Sequence, residues 1–71
     1  MAQTYRLNSN GLIFAPGMVA WAMNGYRFKR DRSNMVKVIA DGWNIPKEAV
    51  EALLSGQVPH TIEKETVVFT A

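Results

Sequence analysis

The order of apolar and polar residues indicates extended structure at both ends of the chain and helices in the middle. Residues 4–9 and 12–14 flank Asn10 and Gly11, a pair whose tolerance of positive φ angles suits the tight turn of a β-hairpin. Residues 65–70 are rich in β-branched and aromatic types, as strands are. We predict that this C-terminal strand pairs with the N-terminal hairpin, because a hairpin alone is only marginally stable in water.

The first of three predicted helices covers residues 18–23, which are apolar on every side. Such a segment is typical of a short helix that is buried over most of its surface. A Pro-Gly pair at 16–17 precedes it, and an Asn-Gly pair at 24–25 follows it with a glycine that can adopt the left-handed conformation of a helix end. We expect this helix to be central in the core, with Trp21 and Phe14 buried.

Two further helices are predicted in the second half of the chain. Apolar residues recur near the 3.6-residue period over residues 35–42, and a side-chain oxygen of Asp31 or Ser33 is placed to cap this helix. Residues 46–55 have the apolar face of an amphipathic helix. The signals that bound this third helix are Asn44 as its cap, Pro46 in its first turn and Gly56 after its end.

Together these elements predict an α+β fold, in which a small antiparallel sheet made of the N-terminal hairpin and the C-terminal strand packs on three helices. The 71 residues leave room for a single domain, residues 1–71, because a chain this short buries only about 60% of its unfolded surface. With 48% hydrophobic and 20% charged residues, it can form a core without a metal or disulfide.

Basic residues are concentrated in residues 27–37, which carry five cations and one carboxylate, a net charge of +4. Residues 38–71 carry a net charge of −3. Clustered cations can neutralise the phosphates of a nucleic acid, and they also occur in solvated loops between helices. Because Tyr26 and Phe28 alternate with these cations, stacking on unpaired bases is a further alternative. The predicted contacts to a nucleic-acid backbone are Arg27, Lys29, Arg30, Arg32 and Lys37.

The second and third predicted helices are separated by about three residues, which is the spacing of a helix-turn-helix. Ala40 is small enough for one helix to cross the other closely, and the apolar Trp43 and Ile45 flank the turn. Asn44 lies where a left-handed residue is tolerated. Over residues 36–57 this pattern, with its Leu-Leu-Ser-Gly ending, resembles the helix-turn-helix of the lambda-repressor-like and related repressor families.

The resemblance implies that the third helix is a recognition helix in the major groove of DNA. Its groove-facing positions would be Pro46, Lys47, Glu48, Glu51 and Ala52. This face departs from the usual pattern, because it offers one lysine against two glutamates, whereas Arg, Lys, Asn and Gln make most contacts to bases and phosphates. The further helices of these families are also replaced by strand-like sequence after Pro59, so a winged or sheet-flanked variant is required.

Two classes of function follow from these features. The first is a small regulator of a mobile element that binds double-stranded DNA as a homodimer, in keeping with the net charge of +2. The second is a protein–protein interaction module or inhibitor. In this class the helix-turn-helix is degenerate, and its second helix, which is the third helix of the chain, is acidic; the motif binds another protein and does not bind DNA.

Other kinds of chemistry are not expected. Without cysteine there is no disulfide, thiol nucleophile or thiolate zinc site. The spacing of His60 with Glu63 or Glu65 is common by chance, so we predict no metal and no cofactor. Neither a nucleophile elbow nor a phosphate-cradling glycine loop is present, so we expect no enzymatic activity. Without a membrane-spanning apolar run or a signal peptide, a cytoplasmic protein with no membrane partner is expected.

Overall fold

The computed structural model describes residues 2–71. Its elements in chain order are β1 (Thr4–Asn8), α1 (Ala15–Arg27), α2 (Arg32–Trp43), α3 (Lys47–Leu54), β2 (His60–Glu63) and β3 (Thr66–Thr70). The three helices contact one another, and α1 also contacts β3, so α1 joins the helical layer to the sheet. The predicted α+β fold, with three helices and a small antiparallel sheet, is confirmed.

Strand β3 is the central strand of the sheet, whose order is β1-β3-β2 with both pairs antiparallel. Val67 and Phe69 of β3 are buried, and Val67 pairs with Leu7 of β1 on one side and with Ile62 of β2 on the other. The predicted pairing of the C-terminal strand with the N-terminal strand is therefore confirmed. The predicted N-terminal hairpin is wrong, because the hairpin of this sheet is formed by β2 and β3.

Residues 9–14 form a loop where a second N-terminal strand was predicted. The side-chain oxygen of Asn10 accepts hydrogen bonds from the backbone N–H groups of Leu12 (2.7 Å) and Ile13 (2.9 Å), so this asparagine closes a local turn by itself. The chain then continues into α1 at Ala15 instead of returning along β1. The Asn-Gly pair does mark a turn, but the strand that pairs with β1 is β3, at the other end of the sequence.

Helix α1 has 13 residues and extends beyond the predicted segment at both ends. Pro16 lies in its first turn, where the N–H that proline lacks would have no partner within the helix. Gly25 lies inside the helix, although it was predicted to follow its end. A Cβ atom on Gly25 would lie 3.1 Å from Cε of Met35, so the glycine allows α2 to approach α1 closely.

The core is formed by buried side chains from all three helices and from two strands. The largest of those that are almost completely buried are Leu7, Val19, Ile39, Val50, Leu53 and Val67. The expectation that Trp21 and Phe14 belong to the core is wrong, because they are 48% and 57% exposed. On α1 the inward positions are occupied by small or β-branched residues, Val19 and Ala22 among them, and the bulky Trp21 lies outside that stripe.

The connection between α2 and α3 consists of three residues and has the predicted left-handed residue. Asn44 has a φ of 54° and a ψ of 53°, and the N–H groups of Asn44 and Ile45 both donate to the carbonyl of Ala40. Ile45 and Ala40 are buried, as expected. Asn44 ends α2 and does not cap α3, which begins after Pro46, whose carbonyl accepts the first hydrogen bonds of the helix.

The substitution Ala40→Leu is expected to lower the free energy of unfolding by about 1–3 kcal/mol, because Ala40 is 5% exposed and the added atoms overfill the packing beside the turn. Thermal unfolding measures this, and a domain of this size loses about 4–8 °C per kcal/mol. Ala20→Leu, on the exposed side of α1, is the matched control and should melt close to the parent. Equal melting temperatures for the two variants would contradict the packing described here.

Candidate nucleic-acid interface

The predicted phosphate-binding residues surround the short loop between α1 and α2. Arg27 ends α1, and Lys29 and Arg30 lie in the loop. Arg32 begins α2, and Lys37 lies on the same helix about 7 Å further along its axis. All five residues are exposed. The structure therefore gathers four of these cations at one corner of the molecule and places the fifth on an adjoining helix surface. We refer to the five residues as the basic cluster.

The loop that carries Lys29 and Arg30 of the basic cluster is tied to the end of α1 by backbone hydrogen bonds. The N–H of Lys29 donates to the carbonyl of Tyr26 (3.1 Å), and the N–H of Arg30 donates to the carbonyl of Gly25 (2.8 Å). Lys29 and Asp31 have φ angles of 57° and 53°. This left-handed conformation costs a residue with a Cβ atom roughly 1–2 kcal/mol. Packing and hydrogen bonds around the loop offset that cost, so its cations extend from a defined backbone.

Arg32 also has a structural role. Its Nε donates to the carbonyl of Tyr26 (2.8 Å), and its guanidinium carbon lies 4.5 Å from the centre of the Tyr26 ring, within the range of a cation–π contact. These two contacts join the end of α1 to the start of α2. The Nε of Arg32 is thus used inside the protein, while its terminal nitrogens remain as donors.

Among residues 2–71, no carboxylate oxygen lies within 4.0 Å of a side-chain nitrogen of the basic cluster. Within residues 2–71, the ion pair found below 4.0 Å joins Arg6 to Glu63 (3.8 Å), both more than half exposed and both outside the cluster. The guanidinium carbon of Arg27 lies 5.6 Å from the ring centre of Phe28, so Arg27 also makes a cation–π contact. The cluster therefore presents its net positive charge to solvent, with two of its guanidinium groups resting on aromatic rings.

The start of α2 adds to this positive potential. Asp31 precedes the helix, but it makes no side-chain capping hydrogen bond, and Ser33 lies inside the helix, so the prediction of a capping side chain here is wrong. A capping residue normally has an extended backbone, whereas Asp31 is left-handed. The N–H groups in the first turn of any α-helix lack acceptors within the helix, and the helix dipole places positive charge there.

The predicted recognition helix has the expected exposed face. Lys47, Glu48 and Glu51 are exposed on α3, Ala52 is half-buried, and Pro46 is exposed but caps the helix instead of belonging to it. The opposite side of α3 carries four buried apolar residues, which are Ala49, Val50, Leu53 and Leu54. The face has a net charge of −1, since one lysine stands against two glutamates.

The basic cluster lies beside the C-terminal end of α3. Arg27 and Arg32 line an open groove of about 540 Å³ together with Leu54 and Ser55. Lys47 is at the other end of α3, about 10 Å away along the helix axis. The structure therefore does not bring the basic cluster together with the one lysine of the predicted recognition helix. Cations near a helix C-terminus interact favourably with the helix dipole, and Arg27 and Arg32 lie near this end of α3.

Helix α3 is followed by the β2–β3 hairpin, which sequence reasoning did not predict. Its tip includes Lys64, with a φ of 58°, and Glu65. A signal was available in the β-branched pair Thr61 and Ile62, but the segment is short and largely exposed. His60 is the first residue of β2 and pairs with Phe69.

A second candidate surface is apolar and was also missed by sequence reasoning. Leu12 is 97% exposed and stands beside an open groove of about 430 Å³. The groove lies between the loop before α1, the first half of α1 and one residue of α2. We call this surface the Leu12 face; its residues are Leu12, Ile13, Phe14, Gly17, Met18, Trp21 and Val38. The available signal was the absence of any charge in residues 7–26.

Comparison with models of protein families, with curated proteins and with solved structures found no match for this chain. None of the helices in residues 2–71 is long and apolar enough to cross a membrane. In the same part of the chain, no three His, Asp or Glu side chains are grouped so that they could hold a metal ion.

Proposed function

We propose that this chain binds double-stranded DNA as a small winged helix-turn-helix protein and acts as a transcriptional regulator of a mobile element. In this proposal α2 and α3 are the two helices of the motif, and the β2–β3 hairpin is the wing. The basic cluster meets the phosphate backbone, and the exposed face of α3 lies towards the major groove.

The observation that carries the proposal is the basic cluster at the start of the first motif helix. Its five cations have no carboxylate partner below 4.0 Å among the described residues, and the loop that carries Lys29 and Arg30 has a defined backbone. A phosphate placed here would meet several cations and the free N–H groups at the start of α2. Contacts of this kind fix the position of a protein on DNA without reading sequence.

The connection between α2 and α3 supports the same proposal. It has three residues, a left-handed Asn44 and a buried Ala40 at the end of the first helix. A connection of this length is typical of the two helices of a helix-turn-helix. The acidic face of α3 limits the role of that helix, because Glu48 and Glu51 repel phosphates and suit only the amino group of cytosine. We therefore assign most of the affinity to the basic cluster.

Replacing Lys29 and Arg30 together by alanine is expected to weaken binding to all DNA sequences alike. Neither side chain makes a hydrogen bond or ion pair within the described residues, so the fold should be retained. Loss of two phosphate contacts lowers the slope of log affinity against log salt by about two. Fluorescence anisotropy with a labelled random duplex at several salt concentrations measures this slope.

The charge-conserving variant Lys29→Arg with Arg30→Lys is the matched control and should keep the parental slope. Lys47→Ala should change affinity for particular sequences and leave the others unaffected, because Lys47 lies on the face assigned to the groove. If the parent shows no salt-dependent binding even at low ionic strength, the proposal is wrong. If the double alanine variant keeps the parental slope, the basic cluster is not part of the DNA interface.

Protein–protein interaction is the second candidate function, and the Leu12 face is the observation that favours it. Exposed apolar residues that adjoin one another mark interaction surfaces on soluble domains. Absence of DNA binding by the parent would support this candidate, with the glutamates of α3 as a further surface to mutate. The two functions do not exclude each other, because most of the Leu12 face lies around the start of α1, whereas Arg27, Lys29 and Arg30 lie at and after its end.

A further inference from the structure

We propose that the Leu12 face is the surface on which a second copy of this chain docks, in a closed two-fold dimer. Leu12 of each copy would enter the groove of the other, between Phe14, Met18 and Trp21. Dimerisation through the Leu12 face does not depend on whether the chain binds DNA.

Leu12 is presented by a loop that is already ordered. Asn10 accepts two backbone hydrogen bonds in this loop, at 2.7 Å and 2.9 Å, and its own N–H donates to the carbonyl of Ile13 (2.9 Å). At the loop end, the hydroxyl of Ser9 accepts the N–H of Ala15 (2.7 Å) and donates to the carbonyl of Glu65. A side chain that is 97% exposed on so ordered a loop needs little reorganisation to enter a partner.

The shape of the Leu12 face fits a copy of itself. A projecting apolar side chain and an open apolar groove of about 430 Å³ lie next to each other on one surface. A two-fold axis through that surface pairs each projection with the opposite groove, which is the self-complementary arrangement of an isologous dimer. Because both grooves are then filled, the contact closes at two copies.

The charge distribution also favours a second copy. Each chain has a net charge of +2, so two copies repel each other unless they meet on a neutral surface. Six of the seven residues of the Leu12 face lie within residues 7–26, which contain no charged residue. The seventh is Val38, which is also uncharged. A strongly acidic or basic partner would find no opposite charge on this face, whereas an identical neutral face is complementary.

The molecule is large enough for such an interface. Its accessible surface is 4767 Å², and an interface of standard size buries about 800 Å² per partner, roughly a sixth of that area. The molecule measures 31 × 29 × 18 Å, so its broad side can hold a contact of this size. Gly17 and Arg27 are separated by about 15 Å along α1, so the cations at the end of α1 would stay free in the dimer.

Sedimentation velocity and light scattering over a concentration series of the 71-residue chain test the inference. The expected result is a shift from 7.9 kDa towards twice that mass as concentration rises. Leu12→Asp should weaken this association at least a hundredfold, and Leu12→Ala about tenfold, because Leu12 is the residue that each copy inserts. Ile62→Asp is the matched control, since Ile62 is 55% exposed on β2 outside the Leu12 face, and it should associate like the parent.

A parent that stays at 7.9 kDa at every concentration would overturn the inference, and so would a mass that grows beyond two copies. Association that survives Leu12→Asp but is lost in Ile62→Asp would place the contact on the sheet edge instead. Because Leu12 is exposed, circular dichroism of Leu12→Asp should match the parent. If the chain dimerises and does not bind DNA, this inference holds and the proposed function is wrong. If the chain binds DNA and stays monomeric, the proposed function holds and this inference is wrong.

Discussion

The variant Leu53→Ala is expected to lose about 2–5 kcal/mol of its free energy of unfolding, because Leu53 is completely buried on the inner face of α3. A domain of 71 residues has about 4–11 kcal/mol in total, so this single change removes a large share of its stability. At about 4–8 °C per kcal/mol, the melting temperature should fall by roughly 8 °C or more. Thermal and urea unfolding followed by circular dichroism measure both quantities.

The matched control for Leu53→Ala is Leu12→Ala, which removes the same atoms from a position that is 97% exposed. At a protein concentration low enough for the chain to be monomeric, it should change the free energy of unfolding by no more than about 0.5 kcal/mol. If both variants lose the same stability, the burial described for α3 is wrong. Since α3 is the proposed recognition helix, Leu53→Ala should also lose DNA binding in proportion to the unfolded fraction.

The variant Phe69→Ala is expected to lose about 3–5 kcal/mol, which is enough to leave part of the chain unfolded at room temperature. Phe69 is 2% exposed on the central strand of the sheet, where it pairs with Tyr5 on one side and His60 on the other. Its ring centre lies 5.4 Å from that of Tyr5, a separation at which aromatic rings attract each other. Removing the ring opens a cavity between the sheet and the helices.

Phe28→Ala is the matched control for this variant, because Phe28 is 61% exposed at the end of α1. Its cation–π contact with Arg27 contributes about 0.5–1 kcal/mol at such an exposed site, so only a small loss is expected. Urea unfolding should give a much lower midpoint for Phe69→Ala than for Phe28→Ala. Similar midpoints would mean that the sheet does not pack on the core through β3.

The charged part of the candidate site was predictable from the sequence, and the apolar part was not. Long charged side chains remain exposed in almost any fold, so the four cations between two predicted helices, and Lys37 on the second of those helices, could be placed on the surface at once. The exposure of Trp21 depends on which side of α1 meets the rest of the protein. A segment that is apolar on every side, such as residues 18–23, contains no information about that direction.

The mutual placement of the charged residues also required the structure. Sequence spacing puts Arg32 and Lys47 fifteen positions apart, but it does not say which end of α3 lies beside the basic cluster. That depends on how α3 crosses the other two helices. The crossing places Leu54 and Ser55 next to Arg27 and Arg32, and Lys47 at the far end.

The features that the sequence by itself determined depend on a few neighbouring residues. Asn44 adopts the left-handed conformation predicted for the turn, Gly56 follows the end of α3 with a φ of 83°, and residues 66–70 form the strand that their composition indicates. Each of these rests on the φ and ψ preferences of single residues or on the alternation of neighbouring side chains. Such preferences act within one turn of chain, so they are already present in the sequence.

The tertiary structure alone decided which segments form the hairpin and where α1 ends. The Asn10-Gly11 turn suits a hairpin, yet the hairpin of the sheet is formed by β2 and β3, and Gly25 lies inside α1, where Met35 packs against it. These outcomes follow from the burial of Leu7, Val67 and the other core side chains in one shared core. The free energy of that burial is summed over residues far apart in sequence, and it outweighs local turn and helix-end preferences of about 1 kcal/mol each.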